Sequence, residues 1–248
     1  MRLLLLCNRD FASYYALQQL LPLIPRQTVL VLQTAQVGAP RAVPIALAAL
    51  ARHEQGLLQD QLSLLQGADW PAIQRAMSQQ LGVPVTQVVG VNQGLGFEQM
   101  QSFQPDLMVS IRFGSILQPP AIKVPSLGVI NLHSGLLPDY RGVMATFWSM
   151  LHQRSDYGYT LHHIVDDGID TGPVIERQTL PLDLNADYFS QLLALYRVAV
   201  PRLAVIIEQL ARGKTVKRLP QAQGVGGYYA APSQVDVAQF SALGLRLF

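Results

Sequence analysis

The sequence predicts an α/β fold: a doubly wound, mostly parallel sheet with helices on its faces. Three observations carry this. Residues 3–6 are an unbroken run of leucine, the pattern of a strand covered on both faces, as parallel sheets cover theirs. A polar turn at residues 8–10, a helical stretch at 11–21 and a second apolar run at 28–32 follow, which is a β-turn-α-β opening. Much later, Asn131 and His133 alternate with Val129, Ile130 and Leu132. Period-two geometry sets the amide and the imidazole on one face, at a strand end beside a Gly- and Pro-rich loop, residues 135–142. Open α/β sheets place their sites at such strand ends.

The elements are justified in turn. In the first turn, C-N-R-D-F-A-S, no glycine is present, so the backbone is poorly suited to cradle a phosphate. Asn8, Arg9 and Ser13 offer donors to a substrate there, or Asn8 or Asp10 caps the helix that follows. That helix stops at Pro22 and Pro25. Residues 36–70 are rich in Gln, Ala and Leu and read as mostly helical, with a core-facing stripe of Ile45, Leu47, Leu50, Leu57, Leu58, Leu62 and Leu65. A helix at 73–81 ends near Gly82, a strand follows at 83–89 and a loop at 92–96. Residues 106–113 form a strand, and Pro119-Pro120 start the next helix.

Residues 145–151 are a helix whose Phe147 and Trp148 belong to the core. Residues 159–165 are a strand, and its adjacent His162 and His163 point to opposite faces. Residues 187–210 form an amphipathic helix that packs Phe189, Leu192, Leu193, Leu195, Val198 and Leu203 on the sheet, with Pro201 as a kink. A strand at 213–219 and a Gly-rich link at 221–227 lead to a short tail. Its Tyr228 and Tyr229 stack on a substrate or partner, or fold back on the main body.

Composition narrows the function. With 248 residues, half of them hydrophobic, a sizeable core is available. The expected division is residues 1–212 as a main domain and 213–248 as a short extension. Charged residues make up 14% and the net charge is +2. No Lys/Arg cluster appears, so no nucleic-acid partner is expected. The single cysteine, Cys7, excludes an internal disulfide framework and suits a cytoplasmic setting. The opening apolar run is too short for a signal peptide, and no stretch approaches the roughly 20 apolar residues of a membrane helix, so no membrane partner is expected. H-E-x-x-H and C-x-x-C are absent, and no metal is expected. No G-x-S-x-G elbow supports a serine hydrolase.

Residues 126–173 read S-L-G-V-I-N-L-H-S-G-L-L-P-D-Y-R-G, then A-T-F-W-S-M-L-H, then Y-T-L-H-H-I-V-D-D-G-I-D-T-G-P. N-x-H, L-L-P-x-Y-R-G and D-T-G-P together resemble the folate-dependent formyltransferases, strongly over residues 105–182. That family includes glycinamide ribonucleotide transformylase, methionyl-tRNA formyltransferase and the nucleotide-sugar N-formyltransferases. The resemblance implies a Rossmann-like fold and 10-formyltetrahydrofolate as cosubstrate. It implies Asn131, His133 and Asp170 as catalytic residues. It places Ile111, Arg112, Phe113 and Gly114 at the pteridine through their backbone, and Leu137, Val165, Asp166, Asp167 and Gly168 around the same ligand. Asn8, Arg9, Tyr140, Arg141 and His163 are then candidates for the acceptor side, His163 by its spacing from Asp170. One departure is visible: the family's H-x-S-L-L-P is H-S-G-L-L-P here, so Gly135 stands where Ser is customary.

The chemistry suits these residue types. An amine attacking a formyl carbon develops an oxyanion that Asn131 and His133 can stabilise. Asp170 can move the proton and hold His133 cationic. The expected acceptor is a small amine, first of all an amino sugar carried on a nucleotide. An ornithine-like amine, glycinamide ribonucleotide and methionyl-tRNA are alternatives, as is a folate-binding relative without turnover. The tail is too short for the C-terminal domain that methionyl-tRNA formyltransferases use on tRNA, and its apolar character leaves a homodimer open.

Overall fold

The computed structural model describes residues 1–35, 42–222 and 224–248. The first leucine run becomes β1 (Arg2–Asn8), and Leu3 to Leu6 are fully buried. Its neighbours β2 (Thr28–Thr34) and β4 (Leu107–Ile111) pair with it in parallel, so that Leu5 lies between Val31 and Val109. With β3 (Val85–Gln87), β5 (Val129–His133), β7 (Asp156–Ile164) and β8 (Val174–Pro181), they form one seven-stranded sheet in the order β3-β2-β1-β4-β5-β7-β8. The first five of these run parallel, β7 runs antiparallel to both its neighbours, and β8 returns to the direction of the first five.

The apolar runs supply two cores, one on each face. Leu3, Leu5, Val31, Val109, Ile130 and Leu132 meet α1 (Phe11–Leu20), α2 (Ile45–Gln61), α3 (Trp70–Leu81), α6 (Ala145–Leu151) and α7 (Tyr188–Ala211). Leu4, Leu6, Leu32, Met108 and Val129 meet Met100 of α4 (Gly94–Phe103) and Ala121 and Ile122 of α5 (Pro119–Ile122). Helix starts follow local chemistry: Asp10, Asp69 and Asp187 each cap a helix by accepting a backbone N–H, worth about 1 kcal/mol apiece. Gly82 ends α3 in the left-handed conformation at φ 68°.

Several expectations are corrected. The loop expected at 92–96 runs into α4, because Gly94 and Gly96 mask a helix start. A Cβ at Gly96 would collide with the Gly90 carbonyl oxygen, so glycine there serves close packing. Strand β8 was not expected; its E-R-Q-T stretch is polar because β8 is a sheet edge, open on one side. The strand expected at 213–219 is reduced to one bridge, Leu219 to Val174. The helix read over 36–70 spans Ile45–Gln61 only; residues 36–41, and Gln223 in the glycine-rich link, lie outside the described residues. The loop at 135–142 holds a short strand, β6 (Tyr140–Gly142), because β9 (Gly227–Tyr229) pairs with it.

Helix α7 is, contrary to the sequence reading, long and apolar enough to cross a membrane by length and composition. It packs as a core helix: Leu192, Leu195, Val200, Leu203 and Ile207 are fully buried, each contributing about 1.5–3 kcal/mol against exposure. The chain after α7 folds back. Tyr229 stacks on Tyr140, Phe240 of α8 (Gln234–Ala242) stacks on Phe147, and the carbonyls of Arg246 and Leu247 accept the first N–H groups of α7.

Candidate active site

The site forms where β5 ends between β4 and β7. The β5–β7 register sets Asn131 directly opposite His162 and His133 opposite Thr160. Asp170 enters from the loop between β7 and β8. Its Oδ1 accepts from Asn131 Nδ2 at 3.3 Å and lies 3.3 Å from His162 Nε2. Its Oδ2 accepts the Gly142 N–H at 2.8 Å and lies 3.5 Å from His133 Nδ1. Burial alone would raise the Asp170 carboxyl, but His133, His162 and the Gly142 amide outweigh it and hold the pKa at about 2. Asp170 is a carboxylate at any ordinary pH. Its backbone is left-handed at φ 54°, a strain of about 1 kcal/mol or more for a residue with a side chain.

The carbonyl oxygens around the two imidazoles decide which ring nitrogens donate to them. His162 Nδ1 lies 3.0 Å from its neighbour's carbonyl oxygen, at His163, so this nitrogen carries a proton. Its Nε2 lies 3.0 Å from Asn131 Nδ2 and 3.3 Å from Asp170 Oδ1. His133 Nε2 donates to the Tyr140 carbonyl at 2.6 Å. Both His133 nitrogens therefore face oxygen atoms, Nε2 the Tyr140 carbonyl and Nδ1 the Asp170 carboxylate. The Asn131 amide in turn donates to Asp170 Oδ1 at 3.3 Å.

The loop after β5 is pinned by Thr160, whose hydroxyl donates to the Gly135 carbonyl at 2.7 Å and accepts the Leu137 N–H at 3.1 Å. A Cβ at Gly135 would stand 2.6 Å from His133 Nε2 and 2.9 Å from the Tyr140 carbonyl oxygen. The customary Ser is therefore excluded here by the approach of His133 to Tyr140.

The structure brings together Asn131, His133 and Asp170 but separates other candidates. His163 is opposite Ile130, on the other face of the sheet; it is 3% exposed, with Arg218 3.4 Å from its Nδ1. Burial, with Arg218 and His162, lowers it to about 4. Its neighbour His162 takes the place beside Asp170 that spacing had given to His163. Leu137 is fully buried, with its N–H bonded to Thr160 and its carbonyl accepting from Arg177, so it shapes the loop and presents no side chain. Tyr140 is buried, its hydroxyl against His152. Arg141 donates to the Val225 carbonyl. Arg9 turns to the sheet edge, over Trp70 and onto Gln87, while Asn8 donates to Asp10.

Ile111, Arg112, Phe113 and Gly114 do lie at the carboxyl end of β4, with Arg112 left-handed at φ 58° and the Gly114 N–H bonded to Thr34. The Arg112 side chain turns inward, bonding Asp10 Oδ2 through Nε at 3.0 Å and Nη2 at 2.9 Å and lying 3.6 Å from Glu54. Asp10 also caps α1, and Glu54 accepts the Ala12 N–H. The first turn of α1, where an anion would sit, is thus filled by the chain's own carboxylates. Burial and Asp10 push Glu54 up to about 7 against the pull of Arg112. Val165, Asp166, Asp167 and Gly168 form an exposed loop, Val165 being 44% exposed and the Gly168 N–H closing on Asp166.

Sequence reasoning missed further residues. Val89, Leu95 and Ile116 are exposed apolar side chains around the loops after β3 and β4; Asn92 ties those loops by bonding the Ile116 carbonyl and the Gln118 N–H. His162 and Thr160 were unmarked because their roles come from the β5–β7 register, which no local pattern encodes. Among the described residues no group of three His, Cys, Asp or Glu side chains is arranged to hold a metal ion.

Comparison with known proteins agrees with this geometry. Residues 76–194 match the family model described as formyl transferase. Curated relatives include a methionyl-tRNA formyltransferase of Citrifermentans bemidjiense, 32% identical over 142 residues, or 57% of this chain and 44% of that protein. Another is its counterpart in Trichlorobacter lovleyi, 33% identical over the same shares. The chain thus spans under half the length of these relatives. Among solved structures, a sugar N-formyltransferase from a Shewanella species matches with a TM-score of 0.60 at 15% identity, covering 98% of this chain and 79% of that one. A phosphoribosylglycinamide formyltransferase from Anaplasma phagocytophilum matches with a TM-score of 0.58 at 18% identity, covering 94% and 98%. At these identities the structures attest the fold alone; residues 76–194, which carry Asn131, His133 and Asp170, match the formyl transferase domain, and the sequence relatives are formyltransferases over that same part of the chain.

Proposed function

We propose that this chain transfers a formyl group from 10-formyltetrahydrofolate to the amine of a small acceptor. The observation that carries the reading is the cluster of Asn131, His133 and Asp170 at the end of β5, with Asp170 ionised between two imidazoles. The surroundings fit a flat heterocycle. Ile111 to Gly114 offer backbone groups at the end of β4, and the exposed apolar side chains of Val89, Leu95, Ile116 and Val165 stand around the neighbouring loops. When bound, the folate supplies the formyl group.

The chain's own groups do the rest. The His133 ring N–H and the Asn131 amide present donors where negative charge develops on the formyl oxygen, each exchanging a present bond for it. Catalytic bonds often tighten only with substrate in place, and a donor of this kind is worth about 100- to 1000-fold in rate. Asp170, directly or through a water, takes the proton the attacking amine sheds and returns it to the folate nitrogen as the bond from that nitrogen to the formyl carbon breaks.

The acceptor reading is an amino sugar linked to a nucleotide. The start of α1 holds Asp10 and Glu54 rather than free amides, which disfavours a phosphate there and so disfavours a ribonucleotide acceptor bound through that turn. The Shewanella protein of like fold is a sugar N-formyltransferase, and WlaRD, also of like fold, is a sugar 3N-formyl transferase. A second reading, methionyl-tRNA, is favoured by the sequence relatives, and the net charge of +2 speaks against it because phosphate contacts need Lys and Arg.

The test is turnover of 10-formyltetrahydrofolate against nucleotide-linked amino sugars, glycinamide ribonucleotide, ornithine derivatives and methionyl-tRNA. Tetrahydrofolate release with a sugar alone supports the full reading, and release with tRNA moves the acceptor. Absence of both folate binding and turnover would sink formyl transfer at this site.

A further inference from the structure

The turn that carries Asp170 is held from the tail. Gln221 Nε2 donates to the Asp170 carbonyl and to the Gly172 carbonyl, both at 2.8 Å. These two carbonyls flank Thr171 in the passage from β7 to β8. Gln221 is itself fixed: Leu219 and Val174 exchange both backbone hydrogen bonds, at 2.8 and 2.9 Å. Beyond it, β9 pairs with β6, and the Gly142 N–H of β6 holds the Asp170 carboxylate. The tail therefore holds the Asp170 carbonyl directly through Gln221, and its β9 pairs with the strand whose Gly142 N–H holds the Asp170 carboxylate. This segment lies after the residues matched to the family domain, 76–194.

We propose that Gln221 is a positioning residue for Asp170, acting through the backbone of the 170–172 turn; the inference rests on the formyl-transfer reading above. The physical need is clear from the backbone. Asp170 is left-handed at φ 54° without the freedom of glycine, so its conformation must be imposed from outside. Gly172 is pressed so close to the His163 carbonyl that a Cβ would collide with it. A neutral amide with two hydrogens can satisfy two carbonyls at once. A carboxylate of the same shape would set an acceptor against both. Released from Gln221, the turn relaxes, and the Asp170 carboxylate leaves its place between His133 of β5 and His162 of β7, the titratable groups that face it.

The experiment uses the full chain with Gln221→Leu and Gln221→Glu. Expected are a fall of about tenfold or more in kcat, since small misplacements of a reacting group cost up to about 100-fold, with the KM for folate within about twofold, the fold retained by circular dichroism, and Tm lowered only as far as the loss of two hydrogen bonds and of the Asp170 ionisation requires. The acid limb of the kcat–pH profile moves to higher pH, as Asp170 loses the imidazoles that keep it ionised. Carboxyl-carbon NMR with labelled aspartate follows the Asp170 titration without any acceptor, and its midpoint rises in both variants. Gln221→Asn, which keeps the donors on a shorter stem, recovers part of the rate. An Asp170 titration and a kcat that match wild type in Gln221→Leu overturn the proposal. If Gln221→Glu fails to fold, Gln221→Leu decides. If the wild-type chain turns over no amine, formyl transfer fails while the Asp170 titration still decides the role of Gln221.

Discussion

Gly135 and His133 are coupled by space: a Cβ on Gly135 would lie 2.6 Å from His133 Nε2. The imidazole can reach the Tyr140 carbonyl at 2.6 Å only because position 135 is bare. Gly135→Ala should push the ring off that carbonyl and away from Asp170. Expected are a large loss of kcat and, from overpacking, a destabilisation of about 1–3 kcal/mol. Steady-state kinetics beside a urea melt separates the two, and a variant with full kcat would show that the His133–Tyr140 bond is dispensable.

His133→Ala and Asp170→Asn should each lower kcat by about 100- to 1000-fold with the fold retained, since both side chains sit at the open end of the sheet. Circular dichroism and melting checks the fold. Near-wild-type turnover in either would remove that residue from the mechanism.

Asp170 also predicts an acid dependence of stability. Its folded pKa, about 2, lies below the ordinary aspartate value of 3.8. The stabilisation is thus present in full above the unfolded pKa and is lost as pH falls through about 2, roughly 2 kcal/mol in all. The stability gap between wild type and Asp170→Asn should narrow as pH drops from about 4 toward 2. A gap independent of pH there would mean that Asp170 is not held by His133 and His162.

Arg112→Ala should act on stability before it acts on folate. The guanidinium, 23% exposed, is the partner of both Asp10 and Glu54. Removing it leaves two carboxylates facing each other, at a cost of about 3 kcal/mol. Denaturant melts should show this loss while folate affinity, measured on the folded fraction by calorimetry, changes little. Loss of folate binding at unchanged stability would place the side chain, rather than the backbone, at the ligand.

Glu54 predicts the opposite pH slope from Asp170. Its folded pKa is raised from 4.5 to about 7, so the stabilisation is present in full below the unfolded value and is lost as pH rises through about 7. His163, lowered to about 4, works the other way, losing stabilisation as pH falls from its unfolded value through 4. The comparison must therefore be wild type against Glu54→Gln. The difference in Tm between them should change across pH 4.5 to 7; a constant difference would refute the assignment.

Much of this protein is written locally. The leucines of β1 and the apolar run of β2 must be strands covered on both faces, because no other element buries every side chain of a four-residue apolar run so cheaply in length. The period of two sets Asn131 and His133 on one face whatever the sheet does around them, and the D-T-G-P turn announces Asp170. The α6 span, Ala145–Leu151, matches its expected bounds for the same reason. What tertiary structure alone decided is everything set by register and by contacts between distant segments. Whether His162 or His163 faces Asp170 depends on β5 pairing with β7 so that Asn131 meets His162; a slip of one residue would have exchanged them. Arg112 finds Asp10 and Glu54, and Gln221 finds the carbonyl of Asp170, across separations of 102, 58 and 51 residues. Such partners carry no local pattern, since their meeting is a property of how the strands pack and not of the residues beside them.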